Sequence, residues 1–237
     1  LIAIPVCLVA RFLKIPITIY ELNVEPGKAT KFLAKFATQV KICFAKTAHF
    51  LPQAHCQLVN YPTRFTNYDY QLTHAQAFEI IQHTQPNFKP DRKTILILGG
   101  SQGSLFINQL IPQFILKSGA QNLQIIHQTG QHAIHDLIKF YQAHQVPNIV
   151  FDYQANLMPY YRAADLIICR AGAGTLAEII PLHTPCITIP LATGYTSHQI
   201  DNALEVAQEN VHIKVLKQTE ISENFDLFYK LVNSYLN

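Results

Sequence analysis

The 237-residue sequence lacks several features that would settle its class at once. No two of its five cysteines are close neighbours. Cys7, Cys43, Cys56, Cys169 and Cys186 are an odd number, widely spread, with no CxxC pair. That excludes a disulfide frame and a zinc ribbon, and fits the reduced thiols of a cytosolic protein. Eleven histidines give one close pair, His132 and His135, with no cysteine or carboxylate at ligand spacing. No metal site is expected. No apolar run is long enough for a bilayer. Leu1–Leu13 is mostly apolar, but Arg11 ends the run at roughly half the length a span needs. The basic lead of a signal peptide is missing too, so a buried helix is the expectation. The first residue is not methionine, and the first segment already follows a core-helix register; a chain without its front end is expected. There are no internal repeats and no low-complexity tracts. The 49% apolar content supports one large core or two modest ones.

The net charge of +3 is uneven. Residues 1–50 carry seven Lys/Arg and two Glu, a net of +5, and the rest carry eleven Lys/Arg and thirteen acids, a net of −2. The larger part is mildly acidic and has no basic stripe, which argues against a nucleic-acid partner. Lys28, Lys31 and Lys35 fall on one face of an expected helix, beside Phe32 and Phe36. That face is either simply solvated or drawn to an anionic membrane surface.

Strand-like and helix-like runs alternate. Strands are expected at 16–20, 41–44, 94–98, 123–127, 148–151, 166–169 and 186–190. Helices are expected at 28–38, around 74–83, at 104–117 despite Pro112, at 133–144, from 157, at 174–180 and at 198–209. Short apolar strands without polar alternation suit a parallel sheet covered on both faces. The βαβα order argues a doubly wound α/β fold. Tyr61–Arg92, with Pro62, Pro86 and Pro90 and many polar residues, reads as a passage between domains. The expected organisation is a partial domain over 1–62 with two clear strands, a passage over 63–92, and a complete Rossmann-like domain with about five strands over 93–237.

Two glycine turns connect strand to helix. "ILILGGSQGS" (95–104) places Gly99, Gly100, Ser101 and Gly103 ahead of a helix start, where backbone N–H groups meet anions. It is neither GxGxxG with a ribose acid about twenty residues on nor a Walker A loop, which disfavours a nicotinamide-dependent oxidoreductase. "CRAGAGTLAE" (169–178) repeats the arrangement with Gly172 and Gly174, and puts Glu178 one turn into the next helix. Glu178 is either a solvent-facing helix carboxylate or, at the carboxyl end of a strand, an acceptor for a ribose diol. A third loop, "LATGYTSHQ" (191–199), carries amides and hydroxyls suited to a sugar.

The blocks "YELNVEPGKATKFLAK", "LVNYPTR", "LILGGSQGS", "IIHQTG", "ADLIICRAGAGTLAE" and "HQIDNA" stand in the order and approximate spacing of the MurG family of N-acetylglucosaminyltransferases, glycosyltransferase family 28. The sequence resembles that family from Leu1 to about Ala203, most specifically around 168–178. The resemblance implies a GT-B fold and transfer of GlcNAc from UDP-GlcNAc to lipid I, giving lipid II. That places the protein at the cytoplasmic face of the bacterial inner membrane, with no cofactor beyond the donor substrate. It implies that Glu178 holds the ribose hydroxyls and that Ser101 and Arg64 lie at the diphosphate. Gln199, with His198 beside it, would meet the GlcNAc hydroxyls, and Gln154 would lie by the uracil. The family's His-Glu-Gln-Asn block reads Tyr20-Glu21-Leu22-Asn23 here. Asn23 is then an acceptor-side residue, and Glu21 is the candidate base in place of a family histidine. The family's N-terminal glycine-rich loop has no counterpart in this sequence, so impaired transfer by this chain alone is expected. The rival is a non-catalytic or split-enzyme sugar-nucleotide-binding subunit that requires a separate N-terminal partner.

Overall fold

The computed structural model describes residues 2–119, 122–131, 133–191 and 198–236. The chain divides into two compact units, Leu1–Pro62 and Thr63–Asn237.

The first unit opens with helix α1 (Ala3–Phe12), followed by β1 (Thr18–Glu21), α2 (Lys28–Leu33), β2 (Gln39–Ile42) and β3 (Cys56–Leu58). The three strands form a parallel sheet in the order β1-β2-β3. Two strands are expected from sequence. The third, Cys-Gln-Leu, is too short and too exposed to show an apolar run. The helix over 1–13 is present, but it is not buried. It buries no residue, and Val6 and Phe12 are 66% and 85% exposed. The small core of Ala34, Val40, Ile42 and Leu51 recruits nothing from it. Its clearest tie is Arg11, whose guanidinium lies over the Phe36 ring at 5.6 Å. The lysine face is shorter than expected, because α2 ends at Leu33 and leaves Lys35 in the following turn. Lys31 is ion-paired to Glu25 at 2.8 Å.

The second unit begins with α3 (His74–Gln82), whose start is a reciprocal cap. The Gln76 amide donates to Thr73 Oγ1, and the Thr73 amide donates to Gln76 Oε1. Residues from Thr63 onward cluster with this unit, and α3 packs on α6 (Met158–Ala163). The sheet strands are β4 (Lys93–Leu98), β5 (Leu123–Gln128), β6 (Asn148–Phe151), β7 (Leu166–Cys169), β8 (Cys186–Thr188) and β9 (Ile213–Val215). The helices between and after them are α4 (Leu105–Ser118), α5 (Ile134–Ala143), α7 (Ala173–Ile179), α8 (His198–Glu209), α9 (Gln218–Glu223) and α10 (Phe225–Leu236). All six strands are parallel, in the order β6-β5-β4-β7-β8-β9. From β4 the chain builds outward to one side through β5 and β6, then returns and builds to the other side from β7. The strand order therefore reverses between β4 and β7, which opens a crevice at their carboxyl ends.

The sheet's apolar faces explain its stability. Ile95, Ile97, Ile125, Leu166, Ile168 and Ile187 are fully or nearly fully buried in one cluster with Ile107, Ile111 and Phe114 of α4 and Phe228 of α10. At about 25 cal/mol per Å², each such side chain contributes roughly 1.5–3 kcal/mol of burial. Cys169 and Cys186, on neighbouring strands, are both buried with their sulfurs 3.7 Å apart.

A polar residue also lies inside. His127 on β5 is completely buried, its Nδ1 2.7 Å from the Tyr141 hydroxyl and its Nε2 without a partner among the described residues. Burial lowers its pKa from 6.5 to about 3. The folded protein therefore refuses a proton that the unfolded chain accepts below 6.5. Stability from this source is complete above pH 6.5 and drains as pH falls toward 3, by up to about 1.4 kcal/mol per pH unit. Denaturant melts between pH 7 and 4.5 are expected to show a shallower slope for His127→Met than for the wild type. Equal slopes would assign the acid sensitivity to other groups.

Candidate functional site

The site grows from the loop after β4. Gly100 and Gly103 take positive φ values of 86° and 76°, and the Gly103 amide donates to the Gly100 carbonyl, closing a tight turn. A Cβ on Gly103 would sit 2.2 Å from the Thr129 carbonyl oxygen, so the turn lies directly on the loop after β5. Asn108 fastens the same place, its Nδ2 donating to that carbonyl at 3.0 Å. Ser104 is the N-cap of α4, accepting from the Ile107 amide. The first-turn amides of α4 then have no carbonyl within the helix to bond. Helix α4 begins at Leu105, one residue later than expected, because Ser104 does the capping.

The second loop follows β7. Arg170 and Ala171 are buried, Gly172 is the N-cap of α7, and Gly174 lies inside that helix rather than ahead of it. These two loops, with Gln199, Gln218 and Leu191, line a cleft of about 810 Å³. The structure thus brings Gly99, Gly100, Ser101, Gly103, Gly172, Gly174 and Gln199 to one cleft. Ser101 is exposed at its rim. Gln199 is fixed by the Leu191 amide, which donates to its Oε1 at 3.0 Å. His198 opens the described part of α8, its Nδ1 buried and without a partner among the described residues. The loop residues 192–197 lie outside the described residues, as does His132.

One turn along α7, Glu178 is the centre of a second cluster. It is not a free solvent-facing carboxylate. Arg64 Nε donates to Oε1 at 3.1 Å and the buried Tyr161 hydroxyl donates to Oε2 at 2.9 Å. The Tyr70 hydroxyl donates to the Glu178 carbonyl at 3.2 Å. Arg64 is placed by its Nη1, which donates to the Ala155 carbonyl beside Gln154, and by stacking over Phe65. Phe65 meets Tyr70 and Tyr161 edge-on. Burial, then the nearby Glu178, pushes the Tyr161 phenol well above its ordinary pKa, so it remains a donor to the carboxylate.

In the first unit, Glu21 is buried and holds a turn. Its Oε1 accepts from the amides of Leu22 and Asn23 and from Asn23 Nδ2. Both predicted acceptor-side residues are therefore in contact with each other.

Sequence reasoning missed Tyr161, Tyr70, Arg170 and Gln218. Arg170 was in view within "CRAGAG", and a basic residue ending a strand at a glycine turn is itself a signal for an anion site. Gln218 had none, because it follows a three-residue strand that the pattern does not reveal. Arg170 Nη1 donates to the Ile189 carbonyl at 3.1 Å, and both Nη1 and Nη2 donate to Gln218 Oε1 at 3.3 Å. Burial lowers the pKa of Arg170 from its ordinary value.

Among known proteins, residues 94–235 match the model of the glycosyltransferase family 28 C-terminal domain. An enzyme of Protochlamydia amoebophila, named UDP-N-acetylglucosamine--N-acetylmuramyl-(pentapeptide) pyrophosphoryl-undecaprenol N-acetylglucosamine transferase, is 36% identical over 201 residues, covering 84% of this chain and 52% of that one. The enzyme of the same name from Francisella tularensis is 30% identical over 233 residues, covering 97% and 62%. The crystal structure of MurG from Acinetobacter baumannii matches with a TM-score of 0.72 at 25% identity, covering 98% of this chain and 61% of that one. The chain spans between 52% and 62% of the length of these relatives. Its parallel α/β architecture is theirs, as the resemblance implied. The chain belongs to glycosyltransferase family 28, whose C-terminal domain it carries.

Proposed function

We propose that the chain carries the donor-binding part of an inverting glycosyltransferase that moves GlcNAc from UDP-GlcNAc to lipid I, giving lipid II. One observation carries the reading. The glycine turn at α4 and the start of α7 meet where the strand order reverses, with the Arg64–Glu178 pair one turn further along α7. Open parallel sheets take nucleotides at such a place. A carboxylate has about four acceptor positions. Glu178 keeps some for a ribose diol after serving Arg64 and Tyr161. The first-turn amides of α4, with Ser101 and Arg64, suit a diphosphate. The amide group of Gln199, with its oxygen already anchored, offers N–H donors to sugar hydroxyls. His198 is its neighbour on α8, and on this reading the backbone at Gln154 would meet the uracil.

In the transfer, the acceptor's 4-hydroxyl oxygen forms a bond to the anomeric carbon with inversion. The bond from that carbon to the diphosphate oxygen breaks, its electron pair leaves with UDP, and the hydroxyl proton passes to a base. On the acceptor side this chain offers Glu21, whose Oε1 holds its own turn, and Asn23. Charge building on UDP is met by fixed donors, and the reading assigns no resident cofactor. Among the described residues no helix is long and apolar enough to cross a membrane. The basic first unit and the exposed Val6, Val9, Phe12 and Leu13 suit a peripheral position on the anionic cytoplasmic leaflet.

Calorimetric titration of the chain with UDP tests the donor site. Saturable binding is expected, and a folded chain that takes up no UDP would overturn the reading. A second reading is a subunit working with a separate N-terminal partner; among the described residues β1 is an edge strand paired with β2. On either reading the chain alone is expected to form little or no lipid II. Formation only after a complementing polypeptide is added supports the second.

A further inference from the structure

Arg170 is a cation buried in the wall of the cleft, 8% exposed. Its guanidinium is held by two neutral acceptors, the Ile189 carbonyl and the Gln218 side chain. Among the described residues no carboxylate pairs with it. Taking a charge out of water costs several kcal/mol unless an opposite charge compensates. Two neutral oxygens fix the direction of a guanidinium and leave its charge unspent. Its Nε makes no hydrogen bond among the described residues, because all three bonds come from Nη1 and Nη2. The space that Arg170 lines is the cleft. The same cleft is bordered by the first turn of α4, a fourteen-residue helix whose first amides attract anions.

We infer that Arg170 is the counter-charge of the diphosphate in the proposed donor site, and that Gln218 is the positioning residue that keeps its guanidinium aimed there. The inference rests on the donor-site reading and adds residues that reading does not use. Arginine suits the task, because its planar fork serves two acceptors and still presents an N–H. Lysine has no such fork. Gln218 is itself held, since the Lys217 amide donates to Glu220 Oε2 at 2.7 Å and so orders the start of α9. A segment 48 residues downstream thus completes the phosphate side of the cleft. An amide at 218 matters for its neutrality. A carboxylate would hold the guanidinium equally well and quench it.

The test is calorimetry of the full chain with UDP and with uridine, on wild type, Gln218→Glu, Gln218→Met and Arg170→Gln. Gln218→Glu is expected to weaken UDP about tenfold to a hundredfold, the worth of a charge-assisted hydrogen bond. Uridine affinity and melting temperature should hold. Arg170→Gln should do the same, and Gln218→Met should fall between wild type and Gln218→Glu. A wild-type preference for UDP over uridine in Gln218→Glu overturns the inference and leaves the donor site standing. So does a parallel loss of both ligands. A wild type that binds neither ligand removes the donor site and the inference together. Should Arg170→Gln fail to fold, Gln218→Glu decides.

Discussion

Gly103→Ala is expected to lower the melting temperature by roughly 10 °C and to abolish UDP binding. The cost has two parts. The backbone at Gly103 has φ +76°, a left-handed conformation that costs a residue with a Cβ about 1–2 kcal/mol. The added carbon would also sit 2.2 Å from the Thr129 carbonyl oxygen and 3.0 Å from the Gly130 Cα. Both are backbone atoms, so neither can swing aside, and overpacking of this kind costs a further 1–3 kcal/mol or more, at about the scale of core insertions. A total near 4 kcal/mol shifts the midpoint by about 2–4 °C per kcal/mol in a chain of this size. Gly100→Ala is the control. It shares the positive φ of 86° but has nothing within 4 Å of its Cβ. Only the conformational part should appear, and UDP binding should persist. Equal melting points for the two variants, read by circular dichroism, would show that the contact with the loop after β5 does not matter.

Glu178→Gln is expected to weaken uridine and UDP alike, by about tenfold to a hundredfold, because the ribose is common to both. The signature differs from that of Arg170→Gln, which should spare uridine. Wild type should discriminate against 2′-deoxyuridine, and Glu178→Gln should lose that discrimination. The substitution removes the charge that Arg64 Nε bonds at 3.1 Å and keeps an oxygen for the Tyr161 hydroxyl, so folding should survive. Arg64→Met combined with Glu178→Gln should cost less than the two separately, since the groups act as one unit. Undiminished uridine binding in Glu178→Gln would sink the ribose assignment.

The sequence revealed what was fully buried. Strands β4, β5 and β7 read as apolar runs because helices cover both faces, and their burial patterns are almost uninterrupted. β3 and β9 have three residues each, with exposed Gln57 and Lys214 between apolar neighbours, too short for a period to register. The helix over 3–12 was readable and its exposure was not, since an apolar pattern says that a helix wants a partner and not whether one is present. The glycine turns were legible because strand, glycine and cap follow one another in the chain. The Arg64–Glu178 pair, 114 residues apart, was linked through family resemblance alone. Tyr161 and Gln218 depend wholly on tertiary packing, and no local pattern announces them.

The distribution of sulfur gives the molecule an internal clock. Cys7, Cys43 and Cys56 are partly accessible and belong to the first unit, while Cys169 and Cys186 are sealed between β7 and β8 of the second. Burial raises the pKa of Cys43 and Cys56, so even these thiols are slower to become thiolate than free cysteine. A maleimide added to the native protein therefore counts three sites on one timescale. It reaches the fourth and fifth only when the larger sheet opens, so mass spectrometry of the labelled chain times the opening of the second unit.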